Sequence, residues 1–463
     1  MAKELVETPP PFSGSYIDSR TNQRMPPAWV STVAPLLGPK APKNGVDGIW
    51  LAESTGALRT RLVGLIQSAR EVVCLSSFIL ADQNVHRAIL EAAGHGVRVY
   101  VLTATEQKLL RGQNRDDEFS EKVLANHIQL LDDLALRTLL RSGEDLHAKY
   151  VLIDPITPRT CGIIFTCNLA TEGLTRNPEV AVEVTGEEAR DLFRMFLWGF
   201  WKQSKRELLE VGKITGNKSY VPPNLAGPKL LPCTVEGSTK LKTELLRLIG
   251  GSSQELWAAS WKFLPTHESV KALEDAARRG VRVRVLTSIR PSPEHMEALV
   301  NLSKAGVQVR GLRYLHAKGV ISDIAGSLEA LVMSANFDAH GLDGGYEAGV
   351  RLVGPRLTAL QSIFSWWWET ASHSLEVEKN LGELPSRAVS LYRNGGFEEI
   401  LVADNHQMDL GKIVARSDTE VATTRPLRFP EPESMGSRTY YKEVHYTWTV
   451  LPPERSTRDR PIG

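Results

Sequence analysis

His147-Ala-Lys149 and His316-Ala-Lys318 are the residues in this chain best suited to covalent chemistry, and each pair has the same companions. An aspartate, Asp154 or Asp323, follows each lysine after four intervening residues. A hydroxyl residue, one intervening residue and an asparagine come next, as Thr166-Cys-Asn168 and Ser334-Ala-Asn336. Glu179 and Glu347 each lie 11 residues beyond their asparagine. A single histidine is usually a structural residue. Packing gives no reason to repeat His, Lys, Asn and Glu together, at His-to-Asn spacings of 21 and 20.

This set suits displacement at a phosphodiester, where an anionic centre repels nucleophiles and an alkoxide leaves poorly. An imidazole can attack phosphorus and form a covalent phosphohistidine, splitting the hard step in two. A second, protonated imidazole can donate to the leaving oxygen and later take a proton from water. Lys149 and Lys318 supply fixed positive charge near the non-bridging oxygens, with Asn168 and Asn336 as hydrogen-bond donors. Thr166 and Ser334 offer further hydroxyl donors. Because lysines provide the charge, the pattern needs no metal or other cofactor, and the sequence shows no metal-ligand spacing.

The elements that position these residues also occur twice. Residues 55–70 carry Leu58, Leu62, Leu65 and Ile66 at helical spacing, and a buried strand, Glu71-Val-Val-Cys-Leu-Ser-Ser-Phe78, follows. A second helix over residues 85–93 leads to the strand Gly96-Val-Arg-Val-Tyr-Val-Leu-Thr103. A nearly identical string, Gly280-Val-Arg-Val-Arg-Val-Leu-Thr287, returns 184 residues later, again after a helix, a strand and a helix. The motif histidines are 169 apart, so the first half holds 15 extra residues, placed within 106–145 and read as a helical insertion beside the site mouth. An apolar strand is expected through each motif histidine, and a second strand ending at each asparagine. A helix rich in aromatics follows in each half, Phe196 to Trp201 and Phe364 to Trp368, and reads as core or interdomain packing.

These motifs resemble the paired H-x-K-x4-D signatures of the phospholipase D superfamily, which includes lipases, lipid synthases and nucleases. The resemblance runs from about residue 50 to about residue 372. It implies an α/β fold of two α/β/α halves related by a pseudo-two-fold axis, each with a mixed sheet, sharing one active site. It also implies that His147 is the nucleophile and His316 the general acid. Glu179 and Glu347 match the acids that hold the far nitrogen of each catalytic ring, while Asp154 and Asp323 tie the motif strand to its loop. The corresponding division is an extended arm over residues 1–48, halves at 49–216 and 217–372, and an extension at 373–463. That extension is open to two readings, completion of a sheet or docking of a protein partner.

Composition bounds the substrate less tightly. The chain has 463 residues, 42% of them hydrophobic and 24% charged, as expected of a folded protein with a large core. No run approaches the length of a membrane span, and the amino terminus lacks the apolar region of a secretory signal. The four cysteines have no paired spacing, so a reduced, cytoplasmic setting is expected. The net charge of +1 provides no global field for a polyanion, so nucleic-acid binding would need a local patch. Arg282 and Arg284 alternate with valines on one strand and are the candidate for it. On these grounds a nuclease acting on DNA or RNA is placed first, and a phospholipase D or phosphatidyltransferase acting on phospholipid second.

Overall fold

The computed structural model describes residues 13–18, 26–31, 40–53, 56–105, 121–135, 137–216, 225–379, 387–393, 395–403 and 444–447. Contacts divide the chain into two compact units, one of residues 33–372 and one joining residues 1–32 to 373–463.

The larger unit contains the repeat. Its first half runs β1 (Ile49–Leu51), α1 (Ala57–Gln67), β2 (Val72–Ser77), α2 (Gln83–Gly94), β3 (Arg98–Ala104), α3 (Glu121–Leu134), β4 (Leu139–Gly143), β5 (Tyr150–Ile153), β6 (Cys161–Phe165), β7 (Val180–Thr185) and α4 (Gly186–Trp198). The second half gives the same order: β8 (Cys233–Val235), α5 (Lys240–Gly251), β9 (Ser252–Ala259), α6 (Glu268–Arg278), β10 (Arg282–Ser288), α7 (Pro293–Lys304), β11 (Gln308–Leu312), β12 (Gly319–Ile324), β13 (Ser327–Met333), β14 (Glu347–Leu352) and α8 (Gly354–Thr370).

Pairing repeats as well. The first sheet contains the strand order β4-β3-β2-β5-β6-β7-β1, the second β11-β10-β9-β12-β13-β14-β8. Three strands of each half run parallel, β2 with β3 and β3 with β4, then β9 with β10 and β10 with β11. The remaining four extend each sheet antiparallel, giving the expected mixed α/β halves. A hairpin of Arg206–Glu210 and Lys213–Gly216 adds to the free side of β4.

Two expectations change here. The helix α3 has a counterpart in α7, so it belongs to the repeat and is no insertion. Sixteen residues separate β3 from α3 whereas four separate β10 from α7, so most of the surplus falls in residues 105–120. The acidic run Asp116-Asp-Glu118 in that stretch lies outside the described residues. The strands β5 and β12 also begin after the motifs, at Tyr150 and Gly319, and β6 and β13 end at Phe165 and Met333, before the asparagines. The motif histidines, lysines and asparagines therefore stand in loops at strand ends, where their side chains are free of the sheet's in-out alternation.

The aromatic helices are core, as their spacing suggests. Phe196 of α4 and Phe364, Trp367 and Trp368 of α8 join Tyr150, Trp257, Ile321 and Tyr346 in one cluster built from both halves. Each fully buried large side chain contributes roughly 1.5–3 kcal/mol relative to exposure. The chain leaves α4 through a π-helical turn, Gly199–Gln203, whose first residue faces Tyr346. A Cβ at Gly199 would lie 2.7 Å from the Tyr346 ring. Gly199→Ala is therefore expected to cost about 1–3 kcal/mol by overpacking and to lower activity, because the Tyr346 carbonyl accepts the His147 backbone N–H at 3.2 Å. Thermal unfolding beside turnover checks this; an unchanged melting temperature would contradict it.

In the smaller unit, Ser13–Asp18 pairs parallel with Gly396–Ala403 and antiparallel with Val444–Thr447. Ala28–Ser31 lies between His373–Glu376 and Arg387–Arg393. The segment read as an extended arm thus contributes strands to a sheet with the carboxy-terminal extension. For that extension, completion of a sheet is what the described strands show. Much of the sequence around them, including residues 404–443, lies outside the described residues.

Candidate active site

Two polar networks meet where the loops of the halves interlock, and each is assembled from both halves. His147 Nδ1–H donates to Glu347 Oε1 at 2.6 Å, across 200 residues of sequence. His316 Nδ1–H donates to Glu179 Oε1 at 2.5 Å. The glutamate following each motif therefore serves the histidine of the other half. An ionised carboxylate can only accept at Nδ1, so Glu347 fixes the tautomer that leaves His147 Nε2 free for chemistry.

The backbone crosses in the same way. His147 N–H donates to the Tyr346 carbonyl, and Tyr346 N–H to the Asp145 carbonyl. His316 N–H and Ala317 N–H both donate to the Pro178 carbonyl, one residue before Glu179. Beneath this lattice the buried Tyr150 and Tyr346 hydroxyls meet at 2.5 Å, and Tyr346 donates on to the Met195 carbonyl. Two histidines are thus held by the partner half through side chain and main chain together.

The hydroxyl residues have a different place from the one expected. Thr166 donates to Glu179 Oε2 and Ser334 to Glu347 Oε2, and each hydroxyl accepts a backbone N–H, from Val180 and Ala348. They orient the acids rather than offering donors to a substrate. The lysines also differ from expectation. Lys149 and Lys318 are buried, and each ammonium donates to the carbonyl of its own motif histidine. Their Nζ atoms lie 2.9 and 2.8 Å from Nδ1 of His147 and His316, behind the rings beside the carboxylates. Asn168 and Asn336 occupy loops just past β6 and β13, both buried, and the Asn336 amide oxygen lies 3.3 Å from Ser260 Oγ.

Asp154 and Asp323 lie away from the rings. The Asp154 carboxylate accepts from the backbone N–H groups of Arg70, Glu71 and Val72, tying the end of β5 to the start of β2. Asp323 accepts from Ser253 Oγ and Gly326 N–H at the equivalent corner.

Two aromatic contacts went unread in the sequence. Phe78 stands edge-on to the His147 ring at 5.0 Å, and Trp261 tilts against His316 at 5.8 Å. Ser77-Phe78 and Ser260-Trp261 end equivalent strands, and that equivalence was the available signal. His340 also lies 6.2 Å from His147, ring to ring.

The electrostatics of the two networks diverge. Burial pushes His147 down to about 4, against the opposing pull of Glu347. Burial alone would raise Glu347, but His147 and Lys149 together with the Ser334 hydrogen bond hold it down to about 2. Burial raises Glu179 to about 7, and Lys318, Thr166 and Lys149 only partly oppose this. The network at His147 is a neutral imidazole on an ionised carboxylate. At the other network it is the Glu179 carboxyl, raised by its burial, that departs from the usual carboxylate range.

Arg282 and Arg284 do not reach this site. Both lean on Glu255, with Nε at 3.4 Å and Nη1 at 2.8 Å, and Arg284 also lies over the Trp257 and Trp368 rings. In register they face Glu255 and Trp257, five and three residues before Ser260, or about 16 and 10 Å from the loop end of β9 at ~3.3 Å per residue. The patch expected to bind nucleic acid is a structural ion-pair and stacking cluster.

The sequence showed no metal-ligand spacing, yet His267, Glu268 and Asp343 come together with ligand atoms within 4.8 Å of one another. Lys242 Nζ already bridges the two acids at 2.7 and 2.6 Å. His267 Nδ1 accepts the Ser269 backbone N–H, so its ring proton sits on Nε2, facing Asp343 at 3.4 Å. The group is an ion-pair cluster with its own cation.

Comparison with known proteins places this geometry. A family model described as "Cardiolipin synthase, PLD-like domain" matches residues 62–201 and 245–368, more than half of the chain. The chain is similar to a cardiolipin synthase of Clostridium perfringens, 23% identical over 66% of this chain and 67% of that protein. It is similar to cardiolipin synthase B of Shigella flexneri, 25% identical over 59% of this chain and 71% of that protein. Among solved structures, phosphatidylserine synthase of Haemophilus influenzae aligns over 77% of this chain and 90% of its own, at 14% identity and a TM-score of 0.48. Among the described residues no helix is long and apolar enough to cross a membrane. With two His-Lys-Asn-Glu sets interlocked across a repeated α/β body and a family model matching both halves, the chain belongs to the phospholipase D superfamily, enzymes acting on phosphodiester bonds.

Proposed function

We propose that the protein transfers the phosphatidyl group of a phospholipid to a hydroxyl acceptor through a phosphohistidine on His147, without a metal. The observation that carries this reading is the crossed pairing of each histidine with the other half's glutamate. His147, neutral and held by ionised Glu347, presents the Nε2 lone pair that attack on phosphorus requires. His316, backed by Glu179, is placed to give and take a proton.

In the first step His147 Nε2 bonds to phosphorus, the P–O bond to the headgroup breaks, and the departing oxygen takes a proton from His316. In the second, an acceptor hydroxyl gives its proton to His316, its oxygen bonds to phosphorus, and the P–N bond breaks. The buried Lys149 and Lys318 ammoniums, set behind the rings, offset the two carboxylates and keep the cluster from repelling a phosphate.

A phospholipid is favoured over nucleic acid on two grounds. The matched relatives are cardiolipin synthases, and the arginines that supported a nuclease are paired elsewhere. The test offers the purified protein vesicles of phosphatidylcholine or phosphatidylglycerol, single- and double-stranded DNA, and RNA, each with and without chelator. Headgroup release that persists in chelator is expected. Strand cleavage without headgroup release would restore the nuclease reading, and chelator-sensitive activity restored by a divalent ion would overturn the metal-free mechanism.

A further inference from the structure

One flank of the first half's sheet is built differently from the same place in its repeat. In register Val72 stands against Arg98 and Cys74 against Tyr100, whereas Glu255 stands against Arg282 and Trp257 against Arg284. The second half fills this place with its own groups. Glu255 pairs with both arginines, and Arg284 stacks on the Trp257 and Trp368 rings. In the first half Val72 stands where the carboxylate was and Cys74 where the indole was. The space is left open.

That space is a cavity of about 270 Å³ between β2, β3 and the aromatic helix α4. Phe196 and Phe200 stack at 5.7 Å along one wall, and Tyr100 stands edge-on to Phe200 at 5.8 Å. Burial pushes the Cys74 thiol up, so the floor stays neutral. Ile156 also lines the cavity and is left 67% exposed. Arg98 is the one cation of the lining among the described residues; it is exposed and has no carboxylate partner among them. An apolar cavity edged by a single unneutralised guanidinium complements an amphiphile with one anionic end. A guanidinium matches a carboxylate in bidentate geometry. The volume lies below the roughly 300–1,000 Å³ of pockets for drug-sized ligands, so the occupant has one short chain rather than two long ones.

The geometry points to this cavity as a binding site for a medium-chain fatty acid, its carboxylate on Arg98 and its chain running over Cys74 between Tyr100 and the α4 rings. The site is separate from the catalytic centre. Cys74 lies three residues before Ser77, about 10 Å from the loop end of β2 at ~3.3 Å per residue. Binding there goes beyond the proposed reaction and does not depend on it.

The test is calorimetric titration of the full chain with decanoate below its micellar concentration, and with decanol. Wild type is expected to bind one decanoate saturably and decanol about tenfold more weakly, the loss of one charge-assisted pair. Arg98→Gln, a surface change, should weaken decanoate about tenfold and leave decanol unchanged. Val72→Glu, which gives Arg98 the partner that Arg282 has, should do the same. Cys74→Trp, which refills the space as Trp257 does, should abolish binding of both ligands. Each variant is compared at an unchanged melting temperature, and Arg98→Gln carries the test if the two buried changes do not fold. Absence of saturable decanoate binding, decanol binding as tightly as decanoate, or decanoate binding unchanged by Arg98→Gln would overturn the site. Binding to phosphatidylcholine vesicles without binding of monomeric decanoate would also overturn it, and would make this flank a membrane-contact face.

Discussion

His147→Ala and His316→Ala each lower turnover by roughly four to six orders of magnitude, but they fail at different points. With a phosphorus-labelled lipid and rapid quenching, His316→Ala retains label on His147 as a base-stable, acid-labile phosphoramidate, because the second step lacks its proton acceptor. His147→Ala retains none. The distinction follows from the neutral, carboxylate-held imidazole at 147 and from the part of His316 as proton donor and acceptor in the proposed steps. Label on His316 in the His147 variant would exchange the roles, and label on neither, with activity surviving in one of them, would refute the covalent route.

The second large effect falls on the glutamates and tests the crossing itself. In Glu347→Gln the Ser334 hydroxyl donates to the amide oxygen, as it does to Glu347 Oε2, and turns the NH2 toward His147 Nδ1. The ring must then carry its proton on Nε2, and the nucleophile is blocked, a loss of roughly 10³–10⁴ in rate by the precedent of wrong-tautomer histidines. Labelling of His147 should disappear in Glu347→Gln and persist in Glu179→Gln, although Glu179, not Glu347, shares a half with His147. The wild-type rate should also fall as pH rises through about 7, where the Glu179 network loses its proton, and Glu179→Gln should abolish that limb. If Glu179→Gln instead removed the label and Glu347→Gln spared it, the pairing would lie within each half and the geometry described here would be wrong.

The repeat and the reactive residues were legible because chemistry and local structure leave marks in linear spacing. His, Lys, Asn and Glu recur together, and the Val-Arg-Val-x-Val-Leu-Thr strands recur between glycine-ended helices. The crossing was not legible. Glu179 and Glu347 stand the same distance past their asparagines, so spacing cannot tell which ring each one meets; only the half-to-half packing decides. Thr166 and Ser334 were read as substrate donors because a hydroxyl's partner depends on a rotamer, and here a glutamate on the next strand claims it. The alternation of Arg282 and Arg284 on one face was real, but Glu255 sits on the neighbouring parallel strand, and that register has no trace in sequence. Residue counting locates a surplus within 106–145 without saying which residues form it, so in sequence α3 cannot be told from an insertion. Phe78 and Trp261 were hidden among many aromatics and became meaningful only against the histidine rings.

The crossed glutamates also give the molecule a schedule. A ribosome making this chain completes His147 and its own half's Glu179 long before Glu347 exists, 200 residues later. Until that glutamate arrives it cannot hold the Nδ1 proton of His147, and until His316 is made Glu179 has no ring to grip. On the proposed mechanism an incomplete or misdocked chain is expected to be chemically silent, although its first half carries a full motif. The reactive imidazole is armed by the same bonds that certify the two halves have met in register.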